Sequence, residues 1–240
     1  MRVNRLSANL IKIIAFICMA LDHIGYMLFP NEPWLRALGR IAFPLFAYFI
    51  AEGCKFTRNK LKHFTLIFCL GVVFEIVYTF VVKGNEPFNI FLTFSLSIML
   101  IYCLDLVKDA IIQKKRIILC ILIFFVALSA VIVLCFTLAF DYGIFGVLLP
   151  VFVSIPNFRN ENAPNLAKRL DNHYIKVLLL ILGLFLLPLF NPFGIFLYWG
   201  FLSIPILLLY NCKRGKLNLK YFFYLAYPVH IVIIYFISLI

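Results

Sequence analysis

The twenty residues from Leu10 to Phe29 form an apolar run that, at ~1.5 Å rise per residue, matches the ~30 Å hydrocarbon core of a bilayer. About two thirds of the way along it stand Asp22 and His23. A charge at such depth costs ~2.5 to 3.5 kcal/mol even on lenient insertion scales. Two adjacent ionisable residues therefore require partners on other helices and a shared polar site. The run fixes the solvent of the fold and the place where its chemistry must be built.

Composition agrees. Hydrophobic residues make up 65% of the chain and charged ones 13%, far from the roughly half-apolar, quarter-charged average of soluble domains. No polar segment approaches the ~50 residues of an independent soluble domain, so 1–240 reads as one membrane-embedded domain. Arg2 and Arg5 precede the first run and Lys12 stands near its start, a basic opening as in a secretory signal. That run is too long for a signal core, however, and Phe29-Pro30-Asn31-Glu32 follows it instead of a small-residue cleavage site, which makes it a retained helix. The seven cysteines are scattered, with no CxxC and no histidine at ligand spacing, which indicates neither disulfides nor a metal.

Apolar runs recur at about 10–29, 34–52, 63–82, 88–106, 117–138, 142–156, 175–190, 193–210 and 221–240. The pattern predicts an all-α polytopic protein with about nine transmembrane helices. Asn191-Pro192 reads as a tight turn between the seventh and eighth runs. Alternation of basic residues gives direction, since cytoplasmic ends are enriched in Lys and Arg. Nineteen fall on one side, and only Arg36, Arg40 and Lys83 on the other. The N-terminus is thus expected in the cytoplasm and the C-terminus outside, in the cell (cytoplasmic) membrane. This placement assigns the net charge of +12 to membrane lipid and excludes nucleic acid as the expected partner. Part of the inner charge, Lys55 and Arg58 included, is available for a phosphate-rich cytosolic cofactor.

Several polar groups lie at similar depth. Asp22 and His23 are ~100° apart around their helix, so they face different partners. Arg40 sits about a turn into the second run, and Pro44, which has no N–H, bares the Arg40 carbonyl. His230 lies mid-way along the last run, two residues after Pro228, and an imidazole there should point into the bundle. Glu75 is a further acid at outer depth. Glu52, Asp105 and His63 read as solvated ends, and His173 as an ordinary loop residue. Asp141 and Tyr142 open the sixth run beside Gly143 and Gly146, a pairing that permits close helix approach or forms the rim of the site. Soluble-enzyme templates such as GxSxG, the P-loop and HExxH are absent.

Asp22-His23, then Gly39-Arg40-Ile41-Ala42-Phe43-Pro44-Leu45-Phe46-Ala47, Tyr142-Gly143-Ile144-Phe145-Gly146, and Phe223-Tyr224 followed by His230 resemble, in order and spacing, the TraX family. Those polytopic membrane proteins are associated with N-terminal acetylation of conjugative pilin. A fainter likeness extends to the wider class of membrane-embedded acyltransferases, in which a Phe-Pro-hydrophobic-Phe stretch follows an acid-bearing helix. The resemblance implies acetyl-CoA as donor and an amine or hydroxyl acceptor on the far side, whether a peptide N-terminus, a glycan or a lipid-linked intermediate. It places His23, Asp22, Arg40 and His230 in the catalytic group, Glu75, Asp141, Tyr142 and Tyr224 at the acceptor, and Arg40, Lys55 and Arg58 at the coenzyme. No histidine lies between Phe29 and Gly39, where the acyltransferase class carries its base, so the role falls to His23 or His230. A proton-coupled carrier and a structural membrane subunit are the rival readings; thiol release from acetyl-CoA separates the first from both.

Overall fold

The computed structural model describes residues 6–82, 88–190, 194–216 and 219–239, with backbone only at 80–82, 189–190, 194–195, 220–221 and 224. Helices follow one another as α1 (Ala8–Met27), α2 (Pro33–Gly39), α3 (Ala42–Phe56), α4 (Lys60–Val82), α5 (Ile90–Gln113), α6 (Ile117–Thr137), α7 (Gly143–Ser154), α8 (Asn165–Leu170), α9 (His173–Leu186), α10 (Gly194–Leu197), α11 (Ser203–Leu208) and α12 (Lys220–Ser238). No strand occurs among the described residues; two isolated bridges, Leu6 to Tyr210 and Phe88 to Phe140, tie connections together.

Among the described residues five helical stretches are long and apolar enough to cross a membrane: Ala8–Met27, Pro33–Phe56, Lys60–Thr79, Ile90–Gln113 and Ile117–Thr137. The later apolar helices, within α7, α9, Tyr198–Leu208 and Leu225–Ser238, are shorter. The eighth sequence run is not one helix. It breaks into α10, a tightened turn at Tyr198–Leu202 and α11, because Pro205 cannot donate within a continuous helix and is accommodated in the first turn of a new one. Asn191-Pro192, the expected turn, lies outside the described residues.

The second run is likewise broken, at Arg40 and Ile41. Pro44 falls in the first turn of α3, where its missing N–H has no intrahelical partner to satisfy. The expected kink is therefore a true interruption, and α2 and α3 meet at Arg40. Gly200 lies against this junction, where an added Cβ would stand 3.3 Å from Pro44 Cγ and 3.6 Å from the Arg40 carbonyl oxygen.

The core is made by α3, α5, α7 and α9, through Leu45, Tyr48, Ile98, Leu100, Leu149, Leu180 and Leu184, all almost wholly buried. Ser97 Oγ donates to the Val147 carbonyl at 2.8 Å, one of the interhelical hydrogen bonds that hold helices together where no hydrophobic force distinguishes a neighbour from lipid. By contrast α6 exposes Ile118, Phe125, Val126 and Phe136. Its outward face is as apolar as lipid tails.

Connections rich in Lys and Arg meet at one end of the bundle. Lys108 Nζ donates to the carbonyls of Ser154 and Asn157 at the C-terminus of α7, and the Arg159 guanidinium to those of Cys54 and Thr57 at the end of α3. Both cations occupy the negative ends of helix dipoles and satisfy carbonyls that no further turn can reach. We refer to this as the basic end.

Candidate functional site

At the opposite end, α1 and α2 form a hairpin so close that only glycine fits at its contact points. A Cβ on Gly39 would lie 2.3 Å from Asp22 Cβ, and one on Gly25 would lie 2.7 Å from Leu35 Cβ. Asp22 thus faces α2, with Oδ1 3.5 Å from Arg40 Nη2 and 3.8 Å from Arg36 Nε. These are ion-pair distances without hydrogen bonds. Among the described residues Asp22 Oδ1, Arg36 Nε and Arg40 Nε are buried polar atoms with no hydrogen-bond partner, a condition found in few native groups and one that calls for an explanation.

Arg40 Nη1 donates to the Tyr142 hydroxyl at 3.1 Å. Tyr142 is placed by local backbone geometry: its φ of 61° and that of 58° at Gly143 are both left-handed, and its ring stacks on Phe43 at 3.9 Å between centroids. Left-handed backbone strains a tyrosine, so the stack and the Arg40 contact must hold it. Gly146 gives the side chain room, since a Cβ there would lie 2.5 Å from Tyr142 Cβ, whereas one on Gly143 would meet nothing within 4 Å. Gly146 thus clears space for Tyr142, while Gly143 answers to its left-handed φ. Asp141 donates its N–H to the Phe88 carbonyl and accepts Thr93 Oγ1 on its own. Its carboxylate is within electrostatic reach of Arg40.

His23 faces α12. Its Nδ1 is 3.1 Å from His230 Nε2, and His230 Nδ1 is 3.0 Å from the Ala226 carbonyl oxygen. A carbonyl only accepts, so His230 Nδ1 carries hydrogen. The Nε2 of a neutral His230 then accepts from His23 Nδ1, which leaves the His23 lone pair on Nε2. Phe16 and Tyr227 stand edge-on to the His230 ring at 5.4 and 5.6 Å and fix its plane. Asp22, His23, Arg40, His230, Asp141 and Tyr142 are therefore one neighbourhood contributed by α1, α7, α12 and the α2–α3 junction.

Glu75 and Lys55, also expected at the site, are engaged in contacts of their own. Glu75 Oε2 accepts from both the backbone N and Nδ2 of Asn89, at 3.0 and 2.7 Å, while Asn89 Oδ1 caps α5; its polar contacts are spent on starting a helix. The Tyr224 side chain lies outside the described residues. Lys55 is held by Asp171 at 2.6 Å, and Arg58 is exposed in the turn after α3. Lys55 is fifteen residues beyond Arg40, roughly 22 Å along a helix, so Arg40 does not join Lys55 and Arg58 at one phosphate.

The basic end also holds contacts that the sequence does not announce. Glu52 and Asp105, expected to be solvated, are paired with Lys176 and Lys60 at 2.5 and 3.1 Å, and Lys176 is only 4% exposed. His173, expected to be an ordinary loop residue, accepts the Tyr48 hydroxyl on Nδ1 at 2.7 Å and donates from Nε2 to the Leu207 carbonyl at 2.9 Å. The clue in the sequence is the concentration of three acids, Glu52, Asp105 and Asp171, among the cations of the basic connections.

Long apolar helices and a polar cluster at one end place the chain among multi-pass helical membrane proteins. The chain belongs to the TraX family, whose profile, described as TraX protein, matches residues 7–238. It is 27% identical to the Probable fimbrial assembly protein FimC of Dichelobacter nodosus over 250 residues, 95% of this chain and 94% of that protein. An uncharacterized protein of Rickettsia prowazekii (strain Madrid E) is 37% identical over 94 residues, 39% of this chain and 36% of that one. No solved structure matches significantly.

Proposed function

We propose that this TraX-family protein is a membrane acetyltransferase that moves an acetyl group from cytosolic acetyl-CoA to an amine or hydroxyl on the outer side of the cytoplasmic membrane. Nine spans, with the N-terminus inside and the C-terminus outside, put the basic end at the cytoplasm and the Asp22–Arg40 and His23–His230 pairs toward the exterior. The name of the D. nodosus relative favours a pilus subunit as acceptor, through its N-terminal amine.

The observation that carries this reading is the direction of the hydrogen bonds from Ala226 through His230 to His23, which leaves a basic lone pair at membrane depth beside an arginine. Nε2 of His23 takes the proton of the acceptor amine as its nitrogen attacks the thioester carbonyl. The oxyanion that forms is met by Arg40, whose Nε has a donor to spare. Collapse breaks the carbon–sulfur bond, and the departing thiolate takes the proton back from His23. Acetylated acceptor and free coenzyme A result, with no net change in protonation.

The experiment is a thiol-release assay with purified, folded protein, acetyl-CoA and peptides carrying pilin-type N-termini, read in parallel by acetyl incorporation. Transfer that is abolished in His23→Ala supports the assignment. Failure of the wild type to acetylate any amine or hydroxyl acceptor, with its fold intact by thermal melting, overturns the proposal.

A further inference from the structure

Beyond the reacting groups, the basic end holds a pocket of about 390 Å³, within the ~300–1,000 Å³ of small-molecule sites. Lys168 and Arg169 at the end of α8 line it together with His173, Tyr174, Tyr210 and Asn211; Tyr174 is exposed, whereas Tyr210 is buried against Tyr48, Phe49 and His173. Among the described residues no carboxylate lies within ion-pair distance of Lys168 or Arg169. Lys168 Nζ donates to the Glu161 carbonyl at 2.6 Å, which fixes the ammonium without neutralising it and leaves it further donors. The one acid in the lining, Asp171, is already bound by Lys55 at 2.6 Å and Lys176 at 3.3 Å. The pocket therefore presents two cations without a counter-charge and a neutralised anion.

Its walls are preformed. The stretch after α11 is tied to the start of the chain by Leu6 N–H to the Leu209 carbonyl and Asn211 N–H to the Leu6 carbonyl, at 2.8 and 2.9 Å. Asn211 Oδ1 accepts the Lys213 N–H at 2.8 Å, and Cys212 takes the left-handed turn with φ 56°. Beneath, the Tyr48–His173–Leu207 hydrogen bonds close the floor. Tyr48 lies six residues beyond Ala42 at the start of α3, roughly 9 Å along that helix from the junction that holds Arg40, which is less than the reach of a pantetheine arm the length of about four or five extended peptide units.

We infer that this pocket binds the phosphate-bearing nucleotide head of the acyl-CoA donor, with Lys168 and Arg169 on its phosphates and Tyr174 against its adenine. The inference rests on the acetyltransferase reading and relocates the coenzyme contacts from Lys55 and Arg58. Arg suits such a role because its planar fork meets phosphate oxygens in pairs. The same chemistry would suit the head of an anionic lipid, so the test separates the two.

Binding of labelled acetyl-CoA is measured by equilibrium dialysis of the detergent-solubilised full chain, with 3′-phosphoadenosine diphosphate as competitor. Attachment to phosphatidylglycerol vesicles is followed alongside. The double variant Lys168→Ala/Arg169→Ala should weaken acetyl-CoA and the competitor by about tenfold or more. The control Lys114→Ala/Lys115→Ala, which removes the same charge from another exposed basic connection, should leave both within about twofold, as should His23→Ala. Equal losses in the two double variants would mean that diffuse charge suffices, and would overturn the pocket. Unchanged acetyl-CoA binding in Lys168→Ala/Arg169→Ala would also overturn it while leaving the enzymatic reading standing. Weakened vesicle attachment with coenzyme binding intact would assign the pocket to lipid and overturn the proposal. Absence of any acetyl-CoA binding to the wild type would sink both readings together.

Discussion

His230 Nε2 and His23 Nδ1 lie 3.1 Å apart across the interface of α1 and α12, two imidazoles 207 positions apart in the chain. Because the other ring nitrogen of His230 is committed to the Ala226 carbonyl, the pair has a direction, and His23 is its terminal member. In the proposed reaction His230 is accordingly the positioning residue and His23 the base.

This asymmetry predicts unequal variants. His23→Ala should lower acetyl transfer by about 10²–10⁴-fold, the usual worth of a general base. His230→Ala should lower kcat by a smaller factor with KM for the acceptor nearly unchanged, since the base remains but its tautomer is no longer fixed. His230→Gln, whose side-chain oxygen accepts from His23 Nδ1, should recover part of the loss. Steady-state kinetics of the three variants decide; equal effects of His23→Ala and His230→Ala on kcat would contradict the division into base and positioning residue.

Gly39→Ala should damage the fold and not merely the chemistry. Its new methyl would stand 2.8 Å from Asp22 Cα as well as 2.3 Å from Asp22 Cβ, and backbone cannot swing aside as a flexible side chain can. Overpacking of this kind costs about 1–3 kcal/mol. Thermal melting in detergent should show a lowered midpoint, and Gly143→Ala, which has space but an unfavourable φ, should lose less.

Much of this site is legible in the sequence. Asp22, His23, Arg40 and His230 are conspicuous because ionisable groups at membrane depth are expensive, and the ~100° between Asp22 and His23 already requires separate partners. Identity of contact is what periodicity does not carry. That Gly146 makes room for Tyr142 depends on two successive left-handed residues, and no pattern announces them. Glu75 looks equally functional in sequence but caps α5 through Asn89, since burial cost is the same for a structural and a reacting acid. The network of Lys55, Asp171, Lys176 and Glu52 is hidden because a charge at the end of a run normally reaches solvent, and only the fold of the 155–172 connection over α3 removes that exit.

That network should be felt in stability. Lys176 joins Glu52 and Asp171 from a position where almost no solvent reaches it. Lys176→Ala takes from Glu52 the ammonium that pairs with it, while Asp171 keeps Lys55, and should cost about 3–5 kcal/mol, whereas Lys176→Met with Glu52→Leu should recover much of it. Burial pushes the Asp171 carboxyl up, but the hydrogen bond from Lys55 and the charges of Lys176 and Lys55 outweigh it and hold the group below its ordinary value of 3.8. A depressed folded-state value means that Asp171 contributes its full stability above pH ~4 and loses it as pH falls through the lower folded value. Melting midpoints measured downward from pH 6 should therefore drop more steeply for the wild type than for Asp171→Asn.

Tyr142→Phe isolates one hydroxyl. The stack on Phe43 survives, as does the left-handed backbone, while Arg40 Nη1 loses the acceptor it holds at 3.1 Å. A buried donor without a partner costs about 1–3 kcal/mol, so the melting midpoint should fall modestly. On the proposed mechanism, loss of the contact also frees the guanidinium assigned to the oxyanion, so kcat should fall while acetyl-CoA binding at the basic end is retained. Tyr142→Gly acts in the opposite sense on the backbone, relieving the left-handed strain but losing the stack, and should depress activity further without lowering acetyl-CoA affinity. If Tyr142→Phe matched the wild type in both melting and turnover, Arg40 would not depend on Tyr142 for its position, and the link between α7 and the reacting groups would be lost.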